Sequence, residues 1–189
     1  MTEINETGTL LSVSGNTQNP DYPIELLSGD LKIIMLEMFR PDIEDLWFKE
    51  ELLSDEETMS YNNDYGGCIA FPKEKWDSWY ERWFSDNDGR YFYRYLRESD
   101  TGGFIGEIAY HYDEELGMYL ADIIIHAEYR GKGYGRQGLQ LLCTAAKDNG
   151  IEVLYDSINI NNPAIGLFLN NGFIEEYRTA DAVFVKKIL

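Results

Sequence analysis

The stretch EYRGKGYGRQGL, residues 128–139, combines four glycines with three basic side chains, Arg130, Lys132 and Arg136. It follows the apolar run ADIIIHA and precedes a sequence with helical spacing. Glycine permits tight turns and the close approach of a ligand to the backbone. The first amides of a helix lack internal partners and carry the positive end of the helix dipole, so they bind phosphate groups well. The stretch predicts an anion-binding turn; a plain turn with solvated basic residues is the alternative.

Two phosphate-binding motifs fit this stretch poorly. A P-loop requires GxxxxGK[ST], but Lys132 is followed by Gly133. Gly133, Gly135 and Gly138 spell GxGxxG, a dinucleotide-binding motif that normally follows the first strand of a long parallel sheet. Only about 50 residues follow Gly138, and the strands predicted before it are joined as hairpins. Both readings are therefore disfavoured.

The composition limits the possible partners. The chain has 189 residues and a net charge of −18, which argues against nucleic acid and favours either a cationic small molecule or solubility alone. No run of apolar residues is long enough for a membrane span, and the polar N-terminus does not resemble a signal peptide. Cys68 and Cys143 are far apart, which predicts a reduced, cytoplasmic protein without a metal site.

Hydrophobic periodicity divides the chain into a polar arm, residues 1–28, and a single domain, residues 29–189. Helices are predicted at 42–53, 73–84, 133–150 and 162–172. Strands are predicted at 31–39, 91–98, 103–112, 116–127, 151–160, 173–177 and 182–188. The order gives antiparallel strands first, one β-α-β unit and then further strands. It predicts an α/β fold with a mixed sheet.

Two segments carry a family resemblance. Residues 130–135, RGKGYG, match the signature Q/R-x-x-G-x-G/A of the GNAT (Gcn5-related N-acetyltransferase) superfamily. Residues 161–173, NNPAIGLFLNNGF, resemble the N-x-x-A-x-x-L-Y-x-x-x-G-F segment of the same superfamily, in the same order along the chain. The chain resembles this superfamily most closely over residues 120–175. The resemblance implies an acyl-CoA N-acyltransferase-like fold: a mixed, centrally splayed β-sheet flanked by helices.

The resemblance also implies acetyl-CoA as co-substrate and no metal. The amides from Gly131 to Arg136 are expected to hold the pyrophosphate, and the backbone of residues 123–125 the pantetheine arm, with one amide polarising the thioester carbonyl. Asn161 is expected to contact the cofactor or to cap the following helix. The implied cofactor-binding residues are Ile123, Ile124, Ile125, Arg130, Gly131, Lys132, Gly133, Tyr134, Gly135, Arg136, Asn161 and Phe168.

Phe168 departs from the superfamily pattern, which often has a tyrosine that protonates the departing thiolate. Phenylalanine keeps the ring but cannot donate a proton. Tyr155, Tyr112 and Tyr134 are possible substitutes. The departure also leaves open a non-catalytic CoA-binding protein that acts as a sensor or regulator.

An amine acceptor has a pKa of about 10.4 and must lose a proton, so the reaction needs a base. Asp156, Asp122 and Glu107 lie in strands expected to border the cleft and are the candidate bases. Each carboxylate is equally able to orient a cationic substrate or to face solvent. His111 and His126 titrate in a useful pH range but are more typical of structural histidines.

Two further segments are expected near the acceptor. Trp76, Trp79, Tyr80 and Trp83 share one face of the helix 76–84, which fits a hydrophobic core or a site that stacks on a cationic amine. Residues 59–67, MSYNNDYGG, are polar and glycine-rich and fit a lid.

The sequence thus predicts a cytoplasmic acetyl-CoA-dependent N-acetyltransferase. The expected acceptor is a cationic small-molecule amine, such as a polyamine, an aminoglycoside-like antibiotic or a peptide amine, which attacks directly in a ternary complex. A protein acetyltransferase whose arm, residues 1–28, docks the partner is a further alternative. Neither nucleic acid nor a membrane is expected as a partner, and the oligomeric state stays open, a homodimer included.

Overall fold

The computed structural model describes the backbone of residues 24–27 and 30–33, and residues 35–85 and 88–189 in full. Its helices are α1 (Trp47–Ser54), α2 (Trp76–Phe84), α3 (Tyr134–Asp148) and α4 (Ala164–Asn170). Its strands are β1 (Ile24–Leu27), β2 (Asp30–Ile33), β3 (Leu36–Phe39), β4 (Tyr91–Glu98), β5 (Phe104–Asp113), β6 (Met118–Ile125), β7 (Val153–Asn159), β8 (Ile174–Arg178) and β9 (Ala182–Ile188). Short 3-10 turns cover Ile43–Leu46, Thr58–Tyr65, Lys73–Lys75 and Ala127–Tyr129.

Seven strands form one sheet in the order β3-β4-β5-β6-β7-β9-β8, and β1 and β2 form a separate hairpin. All neighbours in the large sheet are antiparallel except β6 and β7. These two parallel strands pair only at Tyr119↔Leu154 and Leu120↔Tyr155, although β6 continues to Ile125. They diverge beyond these pairs, which confirms the mixed and centrally splayed sheet.

Helices cover both faces of the sheet. On one face, α3 and α4 pack against the main core, to which α3 contributes Leu139 and Leu142. Gly138 lets α3 lie close to the sheet, because a Cβ atom at this position would be 2.6 Å from Leu96 Cδ1. On the opposite face, α1 places Phe48 and Leu52 against an aromatic cluster. The sheet therefore separates an α3/α4 face from an α1/α2 face.

The predicted helices and strands of residues 42–188 are confirmed within a few residues at their ends. The predicted strand 31–39 is instead two strands, since β2 ends at Ile33 and β3 begins at Leu36. Residues 24–27 of the predicted arm form β1, which pairs with β2. Residues 1–23 lie outside the described residues. None of the described helices is both long and apolar enough to cross a membrane.

Candidate active site

A cavity of about 520 Å³ opens where β6 and β7 diverge. Three segments that are distant in sequence line it: the end of β6 with the glycine turn, the turn before α4, and the 3-10 segment Thr58–Tyr65. The lining residues are Ser60, Tyr61, Ile123, Ile124, Ile125, Arg130, Gly131, Gly133, Gly135, Arg136, Asn161, Asn162, Pro163, Ala164 and Leu167. The fork in the sheet is therefore the candidate active site.

The glycine turn has the conformation of an anion cradle. Gly131 and Gly133 have φ angles of +77° and +86°, which side chains of L-residues rarely adopt. Gly133 is the N-cap of α3, so the unpaired first amides of this 15-residue helix begin at the cavity. A Cβ atom on Gly135 would lie 3.3 Å from Leu167 Cδ2, which explains a small residue there. The cradle fits a diphosphate group held by backbone amides.

The three predicted cations have different positions. Arg130 lines the cavity, but its guanidinium donates hydrogen bonds to the carbonyls of Ile125, Glu57 and Thr58. It therefore fastens the segment Thr58–Tyr65 to the end of β6. Lys132 lies outside the lining, with its Nζ 5.6 Å from the ring centroid of Tyr129.

Arg136 is half-buried and lines the cavity directly. It is therefore the predicted cation best placed to meet an anion in the cavity.

Two implied cofactor residues lie in the core instead of the cavity wall. Tyr134 is buried and its hydroxyl donates to Glu98 Oε1 at 3.1 Å. Phe168 is 1% exposed and packs edge-on against Phe173. Their cofactor contacts remain predictions, and packing accounts for both rings.

Asn161 does line the cavity. It does not cap the following helix, because the N-cap of α4 is Pro163; the Ala164 N–H instead donates to Asn162 Oδ1 at 2.9 Å. Asn161 itself donates its backbone N–H to Asn159 Oδ1 at 2.8 Å.

Two of the three candidate bases flank the fork. Asp122 follows the last β6–β7 pair at Leu120, and Asp156 directly follows the paired Tyr155. Burial raises the pKa of Asp156 well above its usual range, and the negative charge of Asp122 raises it further. A carboxyl group with a raised pKa is a stronger base in its deprotonated form.

Asp122 is the more exposed of the two. Its Oδ2 lies 3.2 Å from His111 Nδ1, and this hydrogen bond raises the pKa of His111 despite the opposing effect of burial. Asp122 thus already has one cationic partner when His111 is protonated.

Glu107, the third candidate base, is held in a buried ion pair. Lys49 Nζ lies 2.9 Å and 3.2 Å from its two oxygens, and the hydroxyl of Tyr93 donates to Oε2. Both oxygens are therefore occupied by protein groups. A role of Glu107 as a base stays a prediction, and the two protein donors at its oxygens disfavour it.

The predicted lid lies across the fork. At one end of the segment, the hydroxyl of Thr58 accepts a hydrogen bond from the Ala127 N–H at 2.9 Å. At the other end, Asn159 Nδ2 on β7 donates to Asp64 Oδ2 at 3.3 Å and to the Tyr65 hydroxyl at 3.5 Å. The segment Thr58–Tyr65, here called the bridging segment, therefore connects the two diverging strands.

Tyr61, at the middle of the bridging segment, lines the cavity and was missed by the sequence reasoning. Burial raises its pKa to about 12, with smaller contributions from the charges of Glu107 and Asp122. The hydroxyl stays protonated at neutral pH and is available as a hydrogen-bond donor. The only sequence signal was an aromatic residue in the lid-like stretch.

The aromatic face of α2 surrounds a cation of the protein itself. Trp79 packs against Phe71 and Tyr93, and Lys49 Nζ lies 5.0 Å from the Trp79 centroid. Trp76 is buried in an apolar cluster. The residues of α2 are not among those that line the cavity in the fork, so stacking of this face on a substrate amine stays a prediction; the cation over Trp79 is Lys49 of the protein itself. Among the described residues, no group of three or more His, Cys, Asp or Glu could hold a metal.

The sequence model of the acetyltransferase (GNAT) family matches residues 43–173, which is more than half of the chain. The chain therefore belongs to the GNAT family, whose members are acetyl-CoA-dependent N-acetyltransferases. No curated protein matches the sequence.

Solved structures share the fold at low identity. Spermidine N-acetyltransferase from Vibrio cholerae, in complex with CoA and spermine, is 20% identical with a TM-score of 0.65, covering 81% of this chain and 95% of that one. A candidate acetyltransferase from Acinetobacter baylyi ADP1 is 17% identical with a TM-score of 0.67, covering 84% and 95%. The PaiA N-acetyltransferase from Thermoplasma acidophilum, in complex with coenzyme A, is 17% identical with a TM-score of 0.57, covering 82% and 99%.

Proposed function

We propose that this enzyme transfers an acetyl group from acetyl-CoA to the amine of a cationic small molecule, by direct attack in a ternary complex. Acetyl-CoA supplies the acetyl group activated as a thioester. The observation that carries the proposal is the cavity in the fork, which joins the glycine cradle to the strand ends flanked by Asp122 and Asp156.

The cofactor side is built from backbone. The amides from Gly131 to Arg136 hold the diphosphate, with the Arg136 side chain beside them. The pairing between β6 and β7 stops at Leu120. The backbone edge of residues 123–125 therefore does not pair with β7, and these residues line the cavity. An amide-containing arm pairs with such an edge as an added strand does.

The acceptor side is built from acids. Asp156 accepts the proton that the ammonium must lose, because its raised pKa brings it closer to that of an amine. Asp122 orients the cationic group, and the protonated Tyr61 hydroxyl donates a hydrogen bond inside the cavity. Tyr61 also provides the cavity with a hydroxyl, which Phe168 lacks.

The acceptor class follows from charge. Asp64, Asp122 and Asp156 lie around the fork of a chain with a net charge of −18, and both features attract cations. The Vibrio cholerae neighbour binds spermine, which supports a polyamine for this chain as well. We place the reaction in the cytoplasm, since Cys68 and Cys143 are both unpaired thiols.

A CoA-binding sensor that does not turn over is the second candidate. It is favoured by Phe168, which cannot donate a proton and lies in the core. The carboxylates at the fork favour the enzyme, because a sensor has no need of a base with a raised pKa.

The experiment that tests the proposal is isothermal titration of acetyl-CoA into the wild type and the Gly133→Glu variant. Gly133→Glu forces a side chain into a positive-φ position and adds a negative charge at the cradle, so we expect a loss of affinity of at least about 100-fold. Thiol release with spermidine, spermine, an aminoglycoside and a peptide amine then identifies the acceptor class.

Absence of acetyl-CoA binding by folded wild type would contradict the proposal. Binding without thiol release for every amine would favour the sensor instead.

A further inference from the structure

Lys49 occupies a site with the chemistry of an alkylammonium receptor. Its Nζ contacts both oxygens of Glu107 and lies 5.0 Å, 4.9 Å and 5.8 Å from the ring centroids of Trp79, Tyr93 and Phe71. A carboxylate with aromatic walls is how proteins recognise ammonium ligands. We call Glu107, Phe71, Trp79 and Tyr93 the ammonium cage.

The ammonium cage lies directly behind the cavity wall. Glu107 pairs in register with Ile124, which lines the cavity. Ile124, Tyr61 and Trp79 pack against one apolar cluster, to which Phe71 belongs. The charge of Glu107 also contributes to the raised pKa of Tyr61. Cage and cavity therefore share a wall on the α1/α2 face, the face on which Asp122 lies.

The stability of the fold does not by itself require the buried charges of Lys49 and Glu107. Lys49 is 8% exposed and Glu107 5% exposed. Replacing a buried ion pair by apolar residues is often neutral or stabilising, because desolvation offsets the attraction of the charges. Removing one partner alone, however, leaves an uncompensated buried charge, and an ion of opposite charge that binds beside it stabilises the protein. The pair therefore has a consequence for ligands: while Lys49 is in the cage, no other ammonium can pair with Glu107.

We propose that Lys49 is a specificity-determining residue. Its ammonium fills the cage and prevents a second ammonium of the acceptor from binding at Glu107, so that the acceptor meets only the carboxylates at the fork. The part concerning the acceptor rests on the proposed function. The assignment of the cage as an alkylammonium site does not depend on it.

The cage is tested first by ligand rescue. Lys49→Ala removes the atoms of n-propylammonium, so this ion is the matched probe and n-propanol is its neutral control. We expect n-propylammonium chloride to raise the Tm of Lys49→Ala by about 3 °C or more at saturating concentration, relative to sodium chloride and n-propanol. Wild type, whose cage is full, and Lys49→Ala/Glu107→Gln, which lacks the carboxylate, should show no such shift.

An equal response to n-propanol, or an equal shift in the double variant, would overturn the cage assignment. If Lys49→Ala fails to fold, the yield of folded protein is measured after refolding with and without n-propylammonium. A recovery that requires the ion supports the cage, and an absence of recovery overturns it.

Specificity is tested with two acceptors of equal length, n-butylamine and 1,4-diaminobutane, by thiol release from acetyl-CoA. We expect Lys49→Ala to lower the KM of the diamine about tenfold relative to that of the monoamine, because the second ammonium gains a cage. A KM ratio within twofold of wild type would overturn the specificity role. If wild type acetylates neither amine nor any other tested, the proposed function fails, whereas the n-propylammonium shift still decides the cage.

Discussion

The two sides of the cavity are built by opposite means. The proposed cofactor side uses backbone amides from one continuous stretch, the end of β6, the glycine turn and the start of α3. The proposed acceptor side uses side chains that the fold collects from separate elements, and the pair behind its wall, Lys49 and Glu107, is 58 residues apart. A site formed by backbone amides can be predicted from the local spacing of glycines, whereas a site formed by side chains depends on the tertiary fold. Mutations should therefore act differently on the two sides.

The largest expected effect is a difference in kcat between variants of the two carboxylates at the fork, Asp156 and Asp122. Asp156→Asn removes the proposed base, so we expect kcat to fall about 100-fold or more while the affinity for acetyl-CoA stays within twofold. Asp122→Asn is the matched control and should raise KM for the acceptor more than it lowers kcat. Thiol-release kinetics and titration of acetyl-CoA measure both. Equal kcat losses in the two variants would mean that the roles are not divided as proposed.

The same pair predicts a pH dependence. A carboxyl base works when it is deprotonated, so wild-type kcat/KM should fall as the pH drops through the raised pKa of Asp156. The charge of Asp122 contributes to that raised value, so Asp122→Asn should shift the acid limb to lower pH. A pH profile of both proteins measures the shift. An acid limb that stays at the same pH in Asp122→Asn, or moves to higher pH, would contradict the electrostatic coupling between Asp122 and Asp156.

The next effect concerns stability on the acceptor side. Lys49→Met leaves Glu107 buried without its cation, and we expect the free energy of unfolding to fall by about 3 kcal/mol. Lys49→Met/Glu107→Gln should recover most of this loss. Lys132→Met, the same change on the exposed cofactor side, should alter it by about 0.5 kcal/mol or less. Urea unfolding compares the three; equal losses for the two lysines would contradict the contrast between the sides.

A smaller effect is expected for the cations near the cradle. Arg136 lines the cavity and Lys132 does not, so Arg136→Ala should weaken acetyl-CoA binding about tenfold and Lys132→Ala less than about threefold. Titration at low and high salt checks the order. A larger loss for Lys132→Ala would mean that the cradle depends on charge outside the cavity.

The smallest expected effect is the contribution of His111 to the pH dependence of stability. Its pKa is raised in the folded protein by the hydrogen bond to Asp122, so the contribution to stability is fully present below the unfolded pKa of about 6.5 and is lost as the pH rises through the folded value. Both side chains are partly exposed, so the effect should be small. The Tm difference between wild type and His111→Asn should be about 2 °C larger at pH 5.5 than at pH 9. The opposite pH dependence would contradict the assigned pairing.

The fold and the glycine turn were largely predictable because their signals are local. Helical spacing placed α3 and α4, and the glycine signature placed the cradle between β6 and α3. Asp122 and Asp156 were predicted through their strands, and both flank the fork. The hairpin of β1 and β2 was missed, because the polar composition of residues 1–28 gave no strand signal.

The acceptor side was predictable only in part. Lys49 has no signal in the sequence, because nothing near it in the chain indicates Glu107 on β5 or the rings of α2. Glu107 therefore appeared to be as free as Asp156. Tyr61 was missed for the same reason, since its place in the cavity depends on contacts of the bridging segment with β6 and β7. Such pairings become visible only when the chain is folded.

The bridging segment also has a consequence for the order of folding. Its bond to Asn159 joins residues 95 positions apart, and its bond with Arg130 spans 72 positions. Contacts of such high sequence separation form only after the intervening chain has been ordered, because loop-closure entropy opposes them. We therefore expect the strands of the sheet to pair first and the closure over the fork to come last. The native chain should open there first, over the cavity.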